Sequence, residues 1–126
     1  MELRKFNRKR KSVEHRKEKV VETKLVAIGV YKVVELTANG YLVDAHEWDE
    51  EVARAILLAE HGIEMAEDHL SIIRMVREDT VRHGSAPSGR WIYTQAGGYS
   101  KLKRLFSSNA PVATVLQCCG FPEPRE

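Results

Sequence analysis

The chain has 126 residues, 43% of them hydrophobic and 30% charged, which is enough for one compact domain with an apolar core and too short for two. Apolar runs are short and interrupted by charge, so we expect a cytoplasmic protein without a secretion signal, a membrane span or a membrane partner. The two cysteines are adjacent and no CxxC or paired Cys/His spacing occurs, which excludes a spaced disulfide framework and predicts neither a metal site nor a cofactor.

The N-terminal segment is strongly basic. The formal net charge of +2 conceals this, because residues 1–19 hold nine Lys/Arg and three Glu, a balance of +6 that leaves −4 for the remainder. Few apolar residues accompany these charges, so burial cannot offset the entropy of ordering. We predict a flexible basic arm over residues 1–23 that contacts phosphate backbones or an acidic protein face through Arg8, Lys9, Arg10 and Lys11. A solvated tail or a short frayed helix is an equally open interpretation.

The next segment predicts strands and then a helix. Residues 24–43 mix β-branched and apolar residues around a turn-prone stretch at 38–40, which is typical of a small β-meander or hairpin that Gly29 could bend. Asp49 is followed by two glutamates, which suits the N-cap and first turn of a helix. Gly62 is expected to end that helix.

The remainder predicts short helices. A second helix runs from Ala66 or Glu67 to about His83, and Gly84 stops it. The later pieces are a loop at 85–89, an apolar stretch at 91–93, a break at 97–98, a helical turn or two at 102–106, and a last helix at 110–119 followed by Gly120.

These pieces predict an α+β, mostly helical fold in which a small N-terminal β-meander or hairpin packs on an array of short helices. The domain would span residues 24–119, and the prolines at 122 and 124 predict an extended C-terminal arm over 120–126. Short helices around glycine-bearing turns also invite a weak helix-turn-helix comparison.

Several short motifs occur in a fixed order over residues 28–124. They are Gly40-Tyr41-Leu42, Trp48-Asp49-Glu50, Glu60-His61-Gly62-Ile63, Asp68-His69-Leu70 with Val76-Arg77, Ala86-Pro87-Ser88-Gly89-Arg90, Leu105-Phe106 and Gly120-Phe121-Pro122-Glu123-Pro124. In this order and spacing the chain resembles the DsrC/TusE family of sulfur-relay proteins. The resemblance implies a β-meander against short helices, and a mobile C-terminal arm that presents a cysteine to a partner's active site.

The positions that carry sulfur in that family are changed here. The resemblance implies a persulfide-carrying penultimate cysteine and, in the DsrC branch, a second cysteine in the last helix. By position the second cysteine falls on Leu116, and the penultimate one would lie beyond Pro124, where only Arg125 and Glu126 follow. With the sequence taken as complete, we expect a divergent member without the carrier cysteine.

Cys118 and Cys119 are the candidate thiols. Cys119 is three residues after Leu116 and so lies on nearly the same face of a helix. Against a carrier role, the negative end of the helix dipole disfavours a thiolate, and a disulfide between neighbours would have to unwind the helix. Half-buried packing residues are the favoured interpretation, and relocated sulfur chemistry is the alternative.

Other candidate residues are charged or aromatic. Arg77 and Arg90 match family positions and could steady the arm or bind an anionic group, although structural salt bridges would explain them equally. The five histidines show no ligand spacing, so His69 is expected at a helix start rather than in catalysis. Trp48 and Trp91 are expected to be core or helix-anchoring residues. A second basic cluster, either a partner or polyanion surface or a solvated helix face, comprises Lys101, Lys103 and Arg104.

Three functional hypotheses follow. The first is a regulator or adaptor of sulfur metabolism, more a binding protein than an enzyme, whose partner is a sulfite reductase, a TusBCD-type (DsrEFH-type) complex or nucleic acid. The second is a persulfide carrier that uses Cys119 or Cys118, which requires a reactive thiol. The third is a nucleic-acid-binding module that uses the basic arm, which requires affinity that falls steeply with salt.

Overall fold

The computed structural model describes residues 8–11, 20–30 and 32–123. Three strands form one antiparallel sheet in the order β1-β2-β3: β1 Arg8–Lys11, β2 Val20–Ile28 and β3 Lys32–Thr37. After a 3-10 turn at Ala45–Glu47 come the helices α1 Glu50–His61, α2 Glu67–His83, α3 Gly89–Gln95, α4 Tyr99–Phe106 and α5 Pro111–Cys118. The predicted α+β, mostly helical fold is confirmed.

The sheet differs from the prediction in two places. Gly29, with φ at +64°, lies in the turn between β2 and β3, whereas the turn at 38–40 follows β3 and leads Leu42 back to a bridge with Leu36. Arg8–Lys11 pair with residues 20–23, which belong to β2, so these eight residues of the predicted arm are strand, not the flexible arm that their composition suggested. The other arm residues up to 19, and the last three residues of the predicted C-terminal arm, lie outside the described residues.

The core forms between the inner face of the sheet and the helices. Helix α5 is central, because it contacts each of the other four helices. Its Thr114, Val115, Gln117 and Cys118 are all buried. The most deeply buried large side chains around it include Leu36, Val52, Ile56, Ile73, Val76, Ile92, Leu102 and Phe106. The C-terminal part of the chain therefore belongs to the core as far as Cys119.

Local signals set the helix ends. Asp49 Oδ1 accepts a hydrogen bond from the Val52 amide at 2.9 Å, which confirms the predicted cap. Helix α3 begins at Gly89, earlier than the predicted apolar stretch at 91–93, because Ser88 Oγ caps the Trp91 amide at 3.1 Å. Within the described ranges, every helix is too short or too polar to cross a membrane.

Candidate functional site

Helix α5 ends in a hydrogen-bonded turn that fixes the direction of the chain after it. Gly120 has φ at +77°, the left-handed conformation that glycine adopts without a steric cost. Its amide donates to the Gln117 carbonyl at 3.1 Å, and the Phe121 amide donates to the Leu116 carbonyl at 3.3 Å. These two bonds form a Schellman motif. Two carbonyls that the helix itself leaves without partners are therefore satisfied within the turn.

Two side chains satisfy the next two carbonyls. Trp48 Nε1 donates to the Cys118 carbonyl at 2.7 Å, and Arg77 Nη1 donates to the Cys119 carbonyl at 2.5 Å. The Arg77 guanidinium also lies over the Trp48 ring, 3.7 Å from its centroid, in a cation–π contact. We call Trp48 and Arg77 the clamp, and residues 118–123 the C-terminal segment. The clamp joins the start of α1 and the middle of α2 to the end of α5.

The Arg77 guanidinium is half-buried, and burial lowers its pKa. Its described partners are a backbone carbonyl and an aromatic ring rather than a carboxylate. A structural salt bridge, the alternative explanation for Arg77, is therefore not formed within the described part of the chain. The cation acts here as a hydrogen-bond donor that positions the C-terminal segment.

Gly120 also packs closely against the clamp. A Cβ atom built on Gly120 would lie 2.5 Å from Trp48 Cδ1 and 2.9 Å from Cγ, which is inside van der Waals contact. Any larger residue at 120 would displace the indole ring. Two physical constraints therefore explain why glycine occupies position 120: the positive φ, and the lack of space beside the Trp48 ring.

Both candidate thiols are fully buried. Cys118 and Cys119 have no solvent-exposed surface, and they lie within the core cluster. Cys119 Sγ is 3.8 Å from the Ile73 carbonyl of α2, as a weak S–H donor. Burial raises the pKa of Cys118 to about 12. Burial also raises the pKa of Cys119, and the neighbouring Cys118 adds to this against the opposing effect of Arg77. Both groups are therefore neutral thiols at physiological pH.

The buried thiols predict a loss of stability at alkaline pH. The unfolded chain releases thiol protons from about pH 8.5 upward. The pKa of Cys118 in the folded protein is raised, so its stabilising contribution is complete below that pH. The contribution is lost at about 1.4 kcal/mol per pH unit as pH rises toward the folded pKa. Tyr41, whose pKa is raised by burial and by Glu123, acts in the same direction.

This effect is measured by urea unfolding at about pH 8 and about pH 10, on either side of the usual thiol range. The protein should lose more free energy of unfolding between the two than the Cys118→Ala/Cys119→Ala variant does. Equal losses in the two proteins would show that the thiols are not held neutral by the fold.

A polar network holds the far end of the C-terminal segment. Asn39 Nδ2, in the turn after β3, donates to Glu123 Oε2 at 2.6 Å. Gln117 Nε2 donates to the Asn39 carbonyl at 3.0 Å, and its Oε1 lies 2.7 Å from His61 Nε2. Because the amide nitrogen of Gln117 is the donor to Asn39, its oxygen is the acceptor from His61. The described residues of the segment are thus held at both ends.

The other predicted site residues do not join this site. Arg90 is exposed on α3, away from the described contacts of the clamp. Lys101, Lys103 and Arg104 are exposed on α4. Nothing is described for the side chains of Arg8, Lys9, Arg10 and Lys11 beyond their place in β1.

His69 is structural. Its Nδ1 accepts from the Ala66 amide at 2.9 Å, and its Nε2 lies 2.9 Å from the Leu105 carbonyl, to which it donates. Both ring nitrogens are therefore used, one to cap the start of α2 and the other to join α2 to α4. The interpretation of His69 as a helix-start residue agrees with these contacts.

Sequence reasoning missed the roles of Asn39, His61 and Gln117. Their partners are 56 to 84 residues away in the chain, and the residue types are common on surfaces. The sequence did single out the two clamp residues and Gly120, because each of the three occupies a motif position. The motifs did not show that the three residues meet.

Comparison with known proteins gives a consistent family. A family model described as "DsrC like protein" matches residues 30–126. The chain is 29% identical to sulfurtransferase TusE of Salmonella choleraesuis over 101 residues, which cover 74% of this chain and 91% of that protein. It is 28% identical over 101 residues to a sulfurtransferase TusE homolog of Haemophilus influenzae, with coverage of 74% and 91%.

Solved structures of DsrC proteins are similar to this chain. The oxidized gamma-subunit of the dissimilatory sulfite reductase (DsrC) from Archaeoglobus fulgidus superposes with a TM-score of 0.69 at 27% identity, covering 81% of this chain and 97% of that chain. The NMR structure of Allochromatium vinosum DsrC has a TM-score of 0.67 at 23% identity, covering 80% and 96%. At 23% identity, the similarity to the Allochromatium vinosum protein shows a shared fold alone.

Proposed function

Since this chain belongs to the DsrC-like family, within which its relatives include TusE sulfurtransferases, we propose that it is a sulfur-relay-family binding protein that does not carry sulfur on Cys118 or Cys119. It acts as a regulator or adaptor in the cytoplasm, and its interactions with partner proteins, rather than a reactive thiol of its own, account for its activity.

The complete burial of both cysteines is the observation that supports this proposal. A persulfide forms when a thiolate attacks a sulfur donor, so the thiol must be exposed and ionised. Cys118 and Cys119 are neither, because the core encloses them and burial raises their pKa values. The position that the family resemblance assigns to the second cysteine is Leu116. That side chain is half-buried and packs against the same core.

The C-terminal segment is the part of the molecule best placed to meet a partner. It leaves the core at Gly120, and Phe121 is half-buried while Pro122 is exposed. The clamp and the Asn39–Glu123 hydrogen bond hold it in one conformation. A segment held in its binding conformation loses less entropy on association than a disordered one. We propose that this ordered segment contributes to partner recognition.

The partners that fit are those of the relatives. One structural neighbour is described as the gamma-subunit of a dissimilatory sulfite reductase, and the sequence relatives are described as TusE sulfurtransferases. We therefore propose a sulfite reductase core or a TusBCD-type relay complex as the partner. This choice rests on family membership and is open to direct measurement.

The test is binding of a purified sulfite reductase core and of a TusBCD-type complex, measured by calorimetry for the wild type and three variants. Cys118→Ala/Cys119→Ala should bind within about twofold of wild type, while Arg77→Ala should bind at least about tenfold more weakly. Arg77→Ala removes a charge-assisted hydrogen bond and a cation–π contact that hold the C-terminal segment, together about 2 kcal/mol. The freed segment would then have to be ordered when the partner binds, and this cost weakens the affinity. Arg54→Ala, which removes a surface guanidinium on α1, is the matched control and should bind as wild type.

Loss of binding in the double cysteine variant, with its fold intact by circular dichroism, would contradict the proposal and favour the carrier hypothesis. Unchanged binding in Arg77→Ala would instead contradict the role of the C-terminal segment. The two parts of the proposal are thus tested separately.

A further inference from the structure

Positive and negative charges are segregated along the chain. No Asp or Glu occurs in residues 80–122, a stretch that contains five Lys/Arg and forms α3, α4 and α5. Several cations before this stretch are ion-paired, at nitrogen–oxygen distances of 2.8 Å for Lys24–Glu60, 3.3 Å for Lys32–Asp49 and 2.9 Å for Arg74–Glu50. Arg54 lies 3.9 Å from Glu51. The acid-free stretch therefore leaves its cations without local neutralisation.

Three of these cations share one helix. Lys101, Lys103 and Arg104 are exposed on α4, and within the described ranges none of their side chains has an ion-pair or hydrogen-bond partner. We call these three residues the α4 basic face. Lys103 and Arg104 lie in the last turn of α4, where a cation complements the helix dipole. That effect does not account for Lys101, which lies in the first turn.

The α4 basic face is rigidly supported. Leu102 and Phe106, on the opposite side of α4, are fully buried. His69 Nε2 donates to the Leu105 carbonyl at 2.9 Å, which joins the end of α4 to the start of α2. Three cations on a fixed helix make a preorganised surface, so binding an anion there costs little backbone ordering.

A concavity flanks this face on the side of α2 and α3. Its volume is about 540 Å³. Lys101 and Arg104 of α4 and Asp68 of α2 line it, and its lining also includes the apolar residues Ile72, Ala96 and Leu105. Asp68 too lacks an ion-pair partner in the part of the chain that the structure describes. The groove thus combines apolar surface with two unpaired cations and one unpaired carboxylate.

A second concavity, of about 450 Å³, lies at the other side of Arg104. It is lined by cationic, hydroxyl and amide side chains and by no carboxylate: Ser100, Lys103, Arg104, Ser107, Ser108 and Asn109. Lysine, arginine, serine and asparagine can all donate hydrogen bonds to a carboxylate oxygen. An anionic ligand could therefore extend from one concavity to the other across Arg104.

We propose that the α4 basic face and its two concavities form a docking site for an acidic, extended segment of a partner protein. Glutamate or aspartate carboxylates would pair with Lys101, Lys103 and Arg104, and an apolar side chain would lie against Ile72 and Leu105. A nucleic acid fits less well, because its phosphates would leave the apolar surface at Ile72 and Leu105 without a partner, whereas a peptide can place an apolar side chain there. Residues 20–126 also carry a net charge of −4, which opposes a long polyanion more strongly than a short segment with a few carboxylates.

This surface is separate from the C-terminal segment and the buried cysteines. A negative result for the α4 basic face would therefore not contradict the proposed function. The experiment that tests it involves no sulfur transfer.

The test uses the full chain and a fluorescein-labelled peptide in which one leucine lies between pairs of glutamates. Binding is measured by fluorescence anisotropy near physiological salt, and the site is located by amide chemical-shift mapping. The variant Lys101→Gln/Lys103→Gln/Arg104→Gln should bind about tenfold more weakly, because exposed charge pairs each contribute a few-fold in affinity. The control Arg54→Gln/Arg82→Gln/Arg90→Gln removes the same charge from exposed residues outside both concavities and should lose less than threefold.

The location of the shifts decides the interpretation. Changes at residues 71–72, 95–96 and 100–109, with weaker binding when serine replaces the peptide leucine, would support the proposal. Changes confined to residues 1–19, or equal affinities for the two triple variants, would overturn it. A DNA duplex that shifts the same amides and binds more tightly than the peptide would also overturn it, in favour of a nucleic-acid surface.

Discussion

Gly120→Ala should lower the free energy of unfolding by about 3 kcal/mol, whereas Gly84→Ala should lower it by about 1 kcal/mol. The two glycines have nearly the same φ, +77° and +79°, and each follows a helix. They differ in their surroundings. A Cβ on Gly84 would have no atom within 4 Å, while one on Gly120 would lie 2.5 Å from Trp48 Cδ1.

The difference between the two variants isolates the contact with Trp48. Both lose the conformational freedom of glycine at positive φ, but only Gly120→Ala displaces the indole from the Cys118 carbonyl and from Arg77. Urea unfolding of both variants gives the two free energies, and tryptophan fluorescence reports the ring's displacement. Equal destabilisation of the two variants would show that the end of α5 is not held by Trp48.

Alkylation of Cys118 and Cys119 in the folded protein should be at least about a thousandfold slower than that of a free cysteine at about pH 8. Burial raises the pKa of Cys118 from 9.0 to about 12, which lowers its thiolate fraction by about that factor. The lack of exposed surface slows the reaction further. The rate is measured with iodoacetamide and followed by intact mass.

The matched control is the same protein in urea, where both thiols should react as free cysteines do. Rapid labelling of either thiol in the folded protein would contradict the burial that supports the proposed function. Labelling that requires opening of the α5 end should accelerate in Gly120→Ala and remain slow in Gly84→Ala.

A carrier role for either cysteine would require a large local rearrangement. Exposing Cys118 and Cys119 means separating their carbonyls from Trp48 and Arg77 and breaking the Schellman motif at Gly120. It also removes both side chains from the core. Each lost hydrogen bond costs about 1 kcal/mol, and the burial of the two thiols is lost as well. The resting fold therefore opposes sulfur chemistry at these positions.

The helix ends could be predicted because their causes are local. The Asp49 cap and the glycines at 62, 84 and 120 lie within a few residues of the groups that they satisfy or redirect. Burial of Cys118 and Cys119 was underestimated as half-burial, because the sequence does not show that α5 contacts all the other helices. The central position of α5 is a property of tertiary packing.

The clamp itself could not be derived from the sequence. Arg77 Nη1 and the Cys119 carbonyl, or Trp48 Nε1 and the Cys118 carbonyl, are partners 42 and 70 residues apart. Strand β1 was missed for a different reason, since Arg-Lys-Arg-Lys has the composition of a solvated segment and yet pairs with β2. The family could be identified from short motifs, whereas the contacts of the clamp depend on tertiary structure.

The most direct test of the proposed function is intact-mass analysis after incubation of the reduced, folded protein with a persulfide donor. A parallel sample is alkylated in urea beforehand, and a third is exposed to the donor in urea. The account predicts that sulfur is added to the urea-unfolded protein and not to Cys118 or Cys119 of the folded one. Sulfur added to either thiol of the folded protein would contradict it and make this chain a relay protein with relocated chemistry.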